Sequence, residues 1–342
     1  MEDKKLRIAI THGDTNGTGY ELILKTFAEP TILELFTPII YGSPKIAAYH
    51  RKGLDMQANF SIINKAEDAS DNRVNLLNCI DEEVKVEFGT PTPASAHAAQ
   101  LAYQRATADL ENGLCDALVA LPYESATPTG KGLYIHVNGD LRIASVTGDI
   151  PLGDALRELR KELVAEKART FAESLRRDFR ISNPRIALLQ INPQPGTEEA
   201  EILQPTIDEL RNAGIGIFGP FAADEYFSTC QYNYFDGTLA LYQSQAVTPL
   251  RLLTDSPCTL LYAGLPAVVT APAITPDFEH AGKGTADESA LRDAIYLAID
   301  AVRHRTEYDL PLANPLKKLY HEKRDESEKV RFAIPKKHDQ PS

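Results

Sequence analysis

The stretch LRIAITHGDTNGTGYELIL, residues 6–24, decides how the rest of the chain is interpreted. Leu6 to Ile10 is a short apolar run that predicts a buried strand. Thr11 to Tyr20 then holds three glycines, and apolar residues at helical spacing follow from Tyr20 to Phe27. α/β proteins use a strand, a glycine-rich loop and a helix in this order to place a ligand at the carboxyl edge of a sheet.

The loop supplies the candidate ligand-binding positions Gly13, Asp14, Asn16, Gly17 and Gly19. The pattern is not a full dinucleotide fingerprint, because no third glycine follows at the required spacing. Nor is it a phosphate-binding P-loop, since no Gly-Lys-Ser/Thr follows. The alternative is that the glycines only form a tight turn at the end of the strand.

Composition describes an ordinary globular protein. The chain has 342 residues, of which 43% are hydrophobic and 25% charged, and this length predicts roughly two domains. We expect no membrane span, because no run of about eighteen apolar residues occurs. The N-terminus enters a strand directly and lacks the apolar core of a signal peptide, which predicts a cytoplasmic protein.

Charge and cysteine content exclude some classes of function. The net charge of −12 argues against a general affinity for nucleic acid or for an anionic membrane. The four cysteines are scattered and form no CxxC pair, so neither a zinc knuckle nor a redox motif is indicated. We expect them to be buried free thiols.

Strand and helix patterns alternate along most of the chain, which predicts a largely parallel α/β architecture. Asn138-Gly139 between two apolar runs predicts an antiparallel hairpin. One long helix is predicted from Leu156 to Phe179, with charged residues at the spacing of an exposed face. Residues 317–342 hold many charges and few apolar residues, which predicts a solvated tail.

Several ordered segments resemble the 4-hydroxythreonine-4-phosphate dehydrogenase family of pyridoxal 5′-phosphate synthesis. The resemblance covers about residues 6–324. Ile10 to Glu21 is similar to the family's Thr-x-Gly-Asp-x-x-Gly-x-Gly-x-Glu opening, and Asp116 to Pro122 to its Asp-Ala-x-Val-x-x-Pro strand. Further similar segments are Arg142–Pro151, Ile191–Gly196, Phe218–Asp224, Tyr242–Gln245, Ala263–Pro266 and Ala281–Gly284.

The resemblance implies a fold, an assembly and a reaction. The implied fold is α/β, with two α/β/α domains around a cleft, like the isocitrate and isopropylmalate dehydrogenases. Residues 1–132 with 264–316 would form the first domain, and residues 133–263 the second, with much of a homodimer surface. The implied reaction is NAD-dependent oxidation of a secondary alcohol followed by decarboxylation, with a divalent metal as Lewis acid.

The implied metal site is altered in this chain. The family's three metal histidines align with Asp149, Gln194 and Gln243, each within an otherwise matching segment. A carboxylate and two amides can bind a hard cation through oxygen, but they are poor ligands for zinc and similar metals. We therefore expect no tightly bound transition metal.

The implied substrate site is altered as well. The family's Gly-His-Thr-Glu segment is missing, because the link between Ser125 and Gly132 is too short to hold it. The family's strand-end Asn-Lys becomes Glu124-Ser125. Its downstream Lys, Asn and Arg align with Arg251, Leu260 and Val269, and the last two cannot donate a hydrogen bond.

The eight histidines offer no obvious replacement for the metal ligands. His12 lies in the opening loop and could either face the cleft or bond to the backbone of the loop. His136 is expected to be structural or exposed. His280 lies in a loop and could belong to a new site. The remaining histidines are expected to be solvated: His50, His97, His304, His321 and His338.

Three hypotheses follow from these departures. The first is a diverged family member that keeps the fold but has lost the dehydrogenase chemistry. It would still form a dimer, either with itself or with a complete paralogue. The second is an active oxidoreductase of the same family with an altered substrate and metal. The third is a small-molecule binding protein that uses the loop from Gly13 to Gly19 for a phosphate.

Overall fold

A computed structural model describes residues 5–80, 84–123 and 132–314. Its strands are β1 (Arg7–Thr11), β2 (Thr37–Gly42), β3 (Phe60–Ile63), β4 (Val74–Asn78), β5 (Ala117–Ala120), β6 (Leu133–Asn138), β7 (Leu141–Ser145), β8 (Ile186–Leu189), β9 (Ile217–Phe221), β10 (Gly237–Ala240), β11 (Thr259–Ala263) and β12 (Val268–Pro272). Its α-helices are α1 (Gly19–Thr26), α2 (Pro44–Gly53), α3 (Pro93–Glu111), α4 (Leu152–Glu158), α5 (Lys161–Arg177), α6 (Gln204–Asn212), α7 (Ala223–Ser228), α8 (Gln243–Leu253) and α9 (Ser289–Ala313).

All twelve described strands belong to one sheet, in the order β3-β4-β2-β1-β5-β12-β11-β6-β7-β10-β8-β9. Eight of the eleven pairings between described strands are parallel, and the three antiparallel ones join β12, β11, β6 and β7. At one end of the sheet, six neighbouring strands therefore run in the same direction: β3, β4, β2, β1, β5 and β12. At the other end, four neighbouring strands run in the opposite direction: β7, β10, β8 and β9. The predicted α/β class is confirmed, as is the hairpin at Asn138-Gly139, which joins β6 to β7.

Buried residues alternate between the two faces of the sheet, as expected for strands covered on both sides. On β1, Ile8 and Ile10 belong to the large core beneath α1, α5 and α9, whereas Ala9 belongs to a smaller core. The other face carries two separate cores, one including α3 and one including α8. The cleft described below is lined by Leu250 and Cys258 of the core that includes α8 and by Leu22 of the large core.

The predicted single helix from Leu156 to Phe179 is wrong. The chain forms α4 and α5 instead, with Leu159 and Arg160 in extended conformation between them. Leu159 is 6% exposed and belongs to the large core. Anchoring this side chain interrupts a segment whose charge pattern alone favours one continuous helix.

The domain boundaries at 132 and 264 stay a prediction, because the sheet runs continuously through both halves. The tail at 317–342 lies outside the described residues. Within the described part of the chain, none of the helices combines the length and apolarity that crossing a membrane requires. All four cysteines are free thiols; Cys115 and Cys258 are buried as expected, but Cys230 is exposed, contrary to expectation.

Candidate functional site

The glycines of the opening loop are explained by close packing. Gly13 has φ of +68°, and a Cβ there would lie 2.6 Å from the carbonyl oxygen of Pro122. A Cβ on Gly19 would lie 1.8 Å from the carbonyl oxygen of His12. Side-chain carbons do not approach backbone oxygens so closely, so α1 can begin against the end of β1 only with glycine at position 19.

Backbone amides of this loop donate to other groups of the protein. Asn16 N donates to Asp14 Oδ1 at 2.9 Å, Gly17 N to the carbonyl oxygen of Asp14, and Thr18 N to that of Asp277. The Ser95 hydroxyl donates to Asp14 Oδ2 at 3.1 Å. The space beside Asp14 and Gly17 has a volume of about 10 Å³, roughly that of one water molecule. A phosphate-binding role for the loop stays a prediction, and these engaged amides do not favour it.

A stack of three rings lies beneath the loop. The rings of His12 and Tyr20 are stacked at 4.9 Å between centroids, and Tyr20 lies 4.9 Å from His50. His12 Nδ1 donates to the carbonyl oxygen of Gly13 at 2.7 Å, and His50 Nε2 to that of Thr15 at 2.8 Å. Burial lowers the pKa of each imidazole to about 4, so both rings are neutral at pH 7.

These contacts decide between the two alternatives for His12 and correct the expectation for His50. His12 is fully buried and bonded to the backbone of the loop, and it does not face the cleft. His50 is 1% exposed and not solvated, because it lies on the inner face of α2. His97 is exposed, as expected. His280, which could have belonged to a new site, is exposed and is not among the residues that line the cleft, and its Nδ1 bonds to Asp277 Oδ2 at 2.9 Å. His304 is partly buried, contrary to expectation, with its Nδ1 bonded to the carbonyl oxygen of Asp178.

A cleft of about 930 Å³ opens on the surface of the described chain. One wall is α8. The other is formed by the start of α1, the start of α9 and the segment from Ala273 to Glu279 after β12, while β6 and β11 contribute the floor. The cleft predicted from the family resemblance is therefore present, at the strands where the two parallel halves of the sheet meet.

Two of the three predicted metal positions lie in this cleft. Asp149 follows β7 and Gln243 begins α8, and both line the cavity. Gln194 is exposed in the turn after β8 and is not among the lining residues. The described residues contain no group of three or more histidine, cysteine, aspartate or glutamate side chains that could hold a metal. One carboxylate and neutral amides do not fit zinc, nickel or cobalt.

The substrate positions divide in a similar way. Arg251 and Leu260 line the cleft, whereas Val269 is 6% exposed and packs in the core around β12. Glu124 and Ser125 lie outside the described residues. The structure thus brings Asp149, Gln243, Arg251 and Leu260 to one cavity and leaves Gln194 and Val269 out of its lining.

Two features of the cleft were missed from sequence. Helix α8, which carries Gln243 and Arg251, was not predicted. Pro249 lies inside this helix, and a proline normally argues against a helix interior. His136 was expected to be structural or exposed, yet it is 6% exposed and lines the cleft. Its place in the alternating pattern of β6 puts it on the same face as Tyr134, which could have indicated that it faces inward.

Comparison with known proteins gives the family. The profile of the Pyridoxal phosphate biosynthetic protein PdxA matches residues 34–133 and 124–298. The 4-hydroxythreonine-4-phosphate dehydrogenase of Bacteroides thetaiotaomicron is 44% identical over 358 residues, which cover 97% of this chain and 98% of that protein. The enzyme of the same name from Sulfurihydrogenibium is 31% identical, covering 86% of this chain and 98% of its own.

A solved structure agrees on the fold. A putative 4-hydroxythreonine-4-phosphate dehydrogenase from Salmonella typhimurium superimposes with a TM-score of 0.74 at 23% identity, covering 86% of this chain and 99% of that one. The two pieces of the profile match overlap at 124–133, in the link between β5 and β6. The match of 358 positions to the Bacteroides protein also exceeds the 342 residues present here, so that protein has positions without a counterpart. With a profile match over most of its length and a relative 44% identical, the chain belongs to the PdxA family of pyridoxal phosphate biosynthetic proteins.

Proposed function

We propose that this PdxA-family chain keeps the family's ligand-binding cleft but does not catalyse the dehydrogenation of 4-phosphohydroxy-L-threonine with NAD. The observation that carries the proposal is the donor set at the three metal positions. Oxidation of a secondary alcohol requires that developing negative charge on its oxygen be stabilised, and a divalent metal supplies this in such sites. Asp149 with two glutamines is a weak set for that task.

The substrate positions support the same proposal. Orientation of a bound substrate contributes a large part of enzymatic rate, so the loss of an orienting segment is costly. The link between β5 and β6 is the place where the family match breaks into two pieces. Across the cleft, Leu260 offers no hydrogen bond to a ligand. Loss of metal ligands and loss of substrate contacts act on the same barrier, where each 1.4 kcal/mol or so changes the rate about tenfold.

A second candidate is an active NAD-dependent oxidoreductase of this family with a changed substrate or metal. The 44% identity to a protein named as the dehydrogenase favours it. Asp149 lies in the cleft, and its carboxylate suits a hard cation such as Mg²⁺. The two candidates make opposite statements about turnover, and one assay separates them.

The assay is NADH formation from 4-phosphohydroxy-L-threonine with Mg²⁺, Mn²⁺ or Zn²⁺ added. We expect no turnover by the wild-type protein and no stoichiometric zinc, nickel or cobalt by elemental analysis. The variant with Asp149→His, Gln194→His and Gln243→His should regain transition-metal binding without regaining turnover, because the substrate contacts are still absent. Robust wild-type turnover would overturn the proposal and establish the second candidate.

We also propose that the chain forms a homodimer through residues 133–263. Large apolar side chains on the surface of this half support it: Leu252 is 81% exposed, Tyr234 68% and Leu152 53%. Exposed large apolar side chains of this kind are candidates for a protein interface. A monomer in sedimentation velocity at micromolar concentration would contradict the dimer, and Leu252→Glu should weaken it if this surface is the interface.

A further inference from the structure

His136 occupies an unusual position on the floor of the cleft. It lies on β6 directly opposite Leu260 of β11, so the imidazole and an apolar side chain share one face of this strand pair. The histidine side chain lines the cavity although the residue is only 6% exposed. Its Nε2 atom is buried and has no hydrogen-bond partner among the described residues.

A buried ring nitrogen without a partner requires an explanation, because nearly all buried polar atoms in proteins are hydrogen-bonded. The other floor residue, Leu260, cannot supply the missing partner. Leaving the nitrogen unpaired destabilises the folded protein. A ligand in the cleft would remove this penalty on binding, and so would favour the bound state.

Arg251 gives the charge of that ligand. It lies near the end of α8, lines the same cleft and is exposed, and no ion pair or hydrogen bond joins it to another residue in the described part of the chain. Burial, with a smaller contribution from the Arg251 charge, lowers the pKa of His136 to about 4. At pH 7 the imidazole is therefore neutral, with one N–H donor and one acceptor nitrogen.

Four acidic residues also line the cleft: Asp149, Asp277, Glu279 and Asp287. Asp277 accepts a hydrogen bond from His280, and Asp287 accepts from Ser289. Asp149 follows β7 and Gln243 begins α8, whereas Arg251 is about two turns further along that helix. Among the described residues that line the cleft, Arg251 is the only arginine or lysine.

We propose that His136 and Arg251 form a subsite for an anionic oxygen of the cleft's ligand, carried by a phosphate or a carboxylate group. Arg251 supplies the positive charge, and the neutral imidazole supplies one N–H donor from the floor. A hydrogen bond to an ionised acceptor is stronger than one between neutral groups, so His136 determines affinity as well as orientation. This inference rests on the proposed ligand-binding function of the cleft and assigns the part of the ligand that lies between β6 and α8.

The test is a titration of protein labelled with ¹⁵N in its histidine rings, followed by ¹H–¹⁵N spectra without NAD or metal. Inorganic phosphate is one probe and acetate the other, which distinguishes the two sources of anionic oxygen. The His136 signals are identified by their loss in His136→Gln. We expect one of the two anions to shift these signals saturably in the wild-type protein.

Variants then separate a ligand contact from a structural role. We expect His136→Leu and Arg251→Met each to weaken binding of that anion about tenfold or more. His136→Gln keeps an N–H donor and should bind more tightly than His136→Leu. The matched control is Arg73→Met, which removes an exposed positive charge before β4, far along the sheet order, and should leave binding unchanged.

Two results would overturn the subsite. One is the absence of a saturable shift of the His136 signals with either anion. The other is equal affinity of the wild-type protein and of a folded His136→Leu protein. Because the titration contains neither NAD nor metal, its outcome is independent of the turnover assay: the subsite can fail while the protein is inactive, and turnover can be found while the subsite holds.

Discussion

Acidification from pH 7 to pH 4 should destabilise this protein through its buried histidines. His12 and His50 are 0% and 1% exposed, and burial lowers the pKa of each from 6.5 to about 4. In the folded protein both rings stay neutral where the unfolded chain already binds protons. The difference in pKa between the folded and unfolded states therefore makes its full contribution to the free energy of unfolding above pH 6.5. This contribution is lost as the pH falls toward 4.

The magnitude follows from the two pKa values. Each pKa unit corresponds to about 1.4 kcal/mol, so a fall of 2.5 units, from 6.5 to about 4, leads to a loss of about 3 kcal/mol per histidine by pH 4. The two rings together account for about 6 kcal/mol, a large share of the 5–15 kcal/mol that stabilises a typical domain. The fixed geometry supports this, because each ring donates to a backbone carbonyl and His12 Nε2 has no described partner for a second proton.

The assay is urea unfolding at pH 7 and pH 4, repeated with His50→Gln. Glutamine Nε2 can donate to the Thr15 carbonyl oxygen as the imidazole does, but it does not titrate. We expect the variant to lose about 3 kcal/mol less than the wild type over this pH range, while carboxylate effects cancel in the comparison. The exposed His97, changed to Gln, is the control and should leave the pH dependence unaltered. Equal pH dependence in wild type and His50→Gln would refute the reasoning.

The remaining predictions concern packing and charge. Gly19→Ala places a carbon 1.8 Å from the His12 carbonyl oxygen and should cost about 1–3 kcal/mol or more in urea unfolding. Gly153→Ala in α4 is the control; its new carbon meets no atom within 4 Å, so the change should be neutral or stabilising. An unchanged unfolding midpoint for Gly19→Ala would contradict the packing argument. Arg305 on α9 donates to Asp178 at 2.6 Å, and both side chains are buried. Arg305→Met should cost about 3–5 kcal/mol, because the buried carboxylate loses its ion-pair partner and keeps only the hydrogen bond from Ser174, and Asp178→Asn in the same background should recover part of the loss in thermal unfolding. A cost below about 1 kcal/mol would show that the pair is not coupled.

Sequence patterns sufficed where local and global preferences agree. The apolar run at Leu6 to Ile10 forms β1 within one residue at each end, and Asn138-Gly139 forms the expected hairpin. They failed where a tertiary contact decides. The inward anchor at Leu159 divides a helix that charge spacing alone would continue, and His50 is buried by packing against Tyr20, which its own sequence neighbourhood does not reveal.

The candidate site was predictable only in part for the same reason. Segment matching to a family identified Asp149, Gln243, Arg251 and Leu260, and the structure brings these four to one cavity. His136 matched no family motif. Its position in the cleft depends on the antiparallel register between β6 and β11, which pairs residues far apart in the chain. Register of this kind is set by the whole sheet and cannot be derived from one strand.

The strand order has a consequence for how the chain is made. β5 is flanked by β1 on one side and on the other by β12, which follows β6 to β11 in the chain. Since a ribosome delivers the N-terminal strands first, the edge of β5 stays unpaired until Val268 to Pro272 have emerged. An open strand edge is a template for pairing with another nascent chain. We therefore expect ribosome-bound chains that end before β12 to aggregate or to engage chaperones, and chains that include α9 to be released from them.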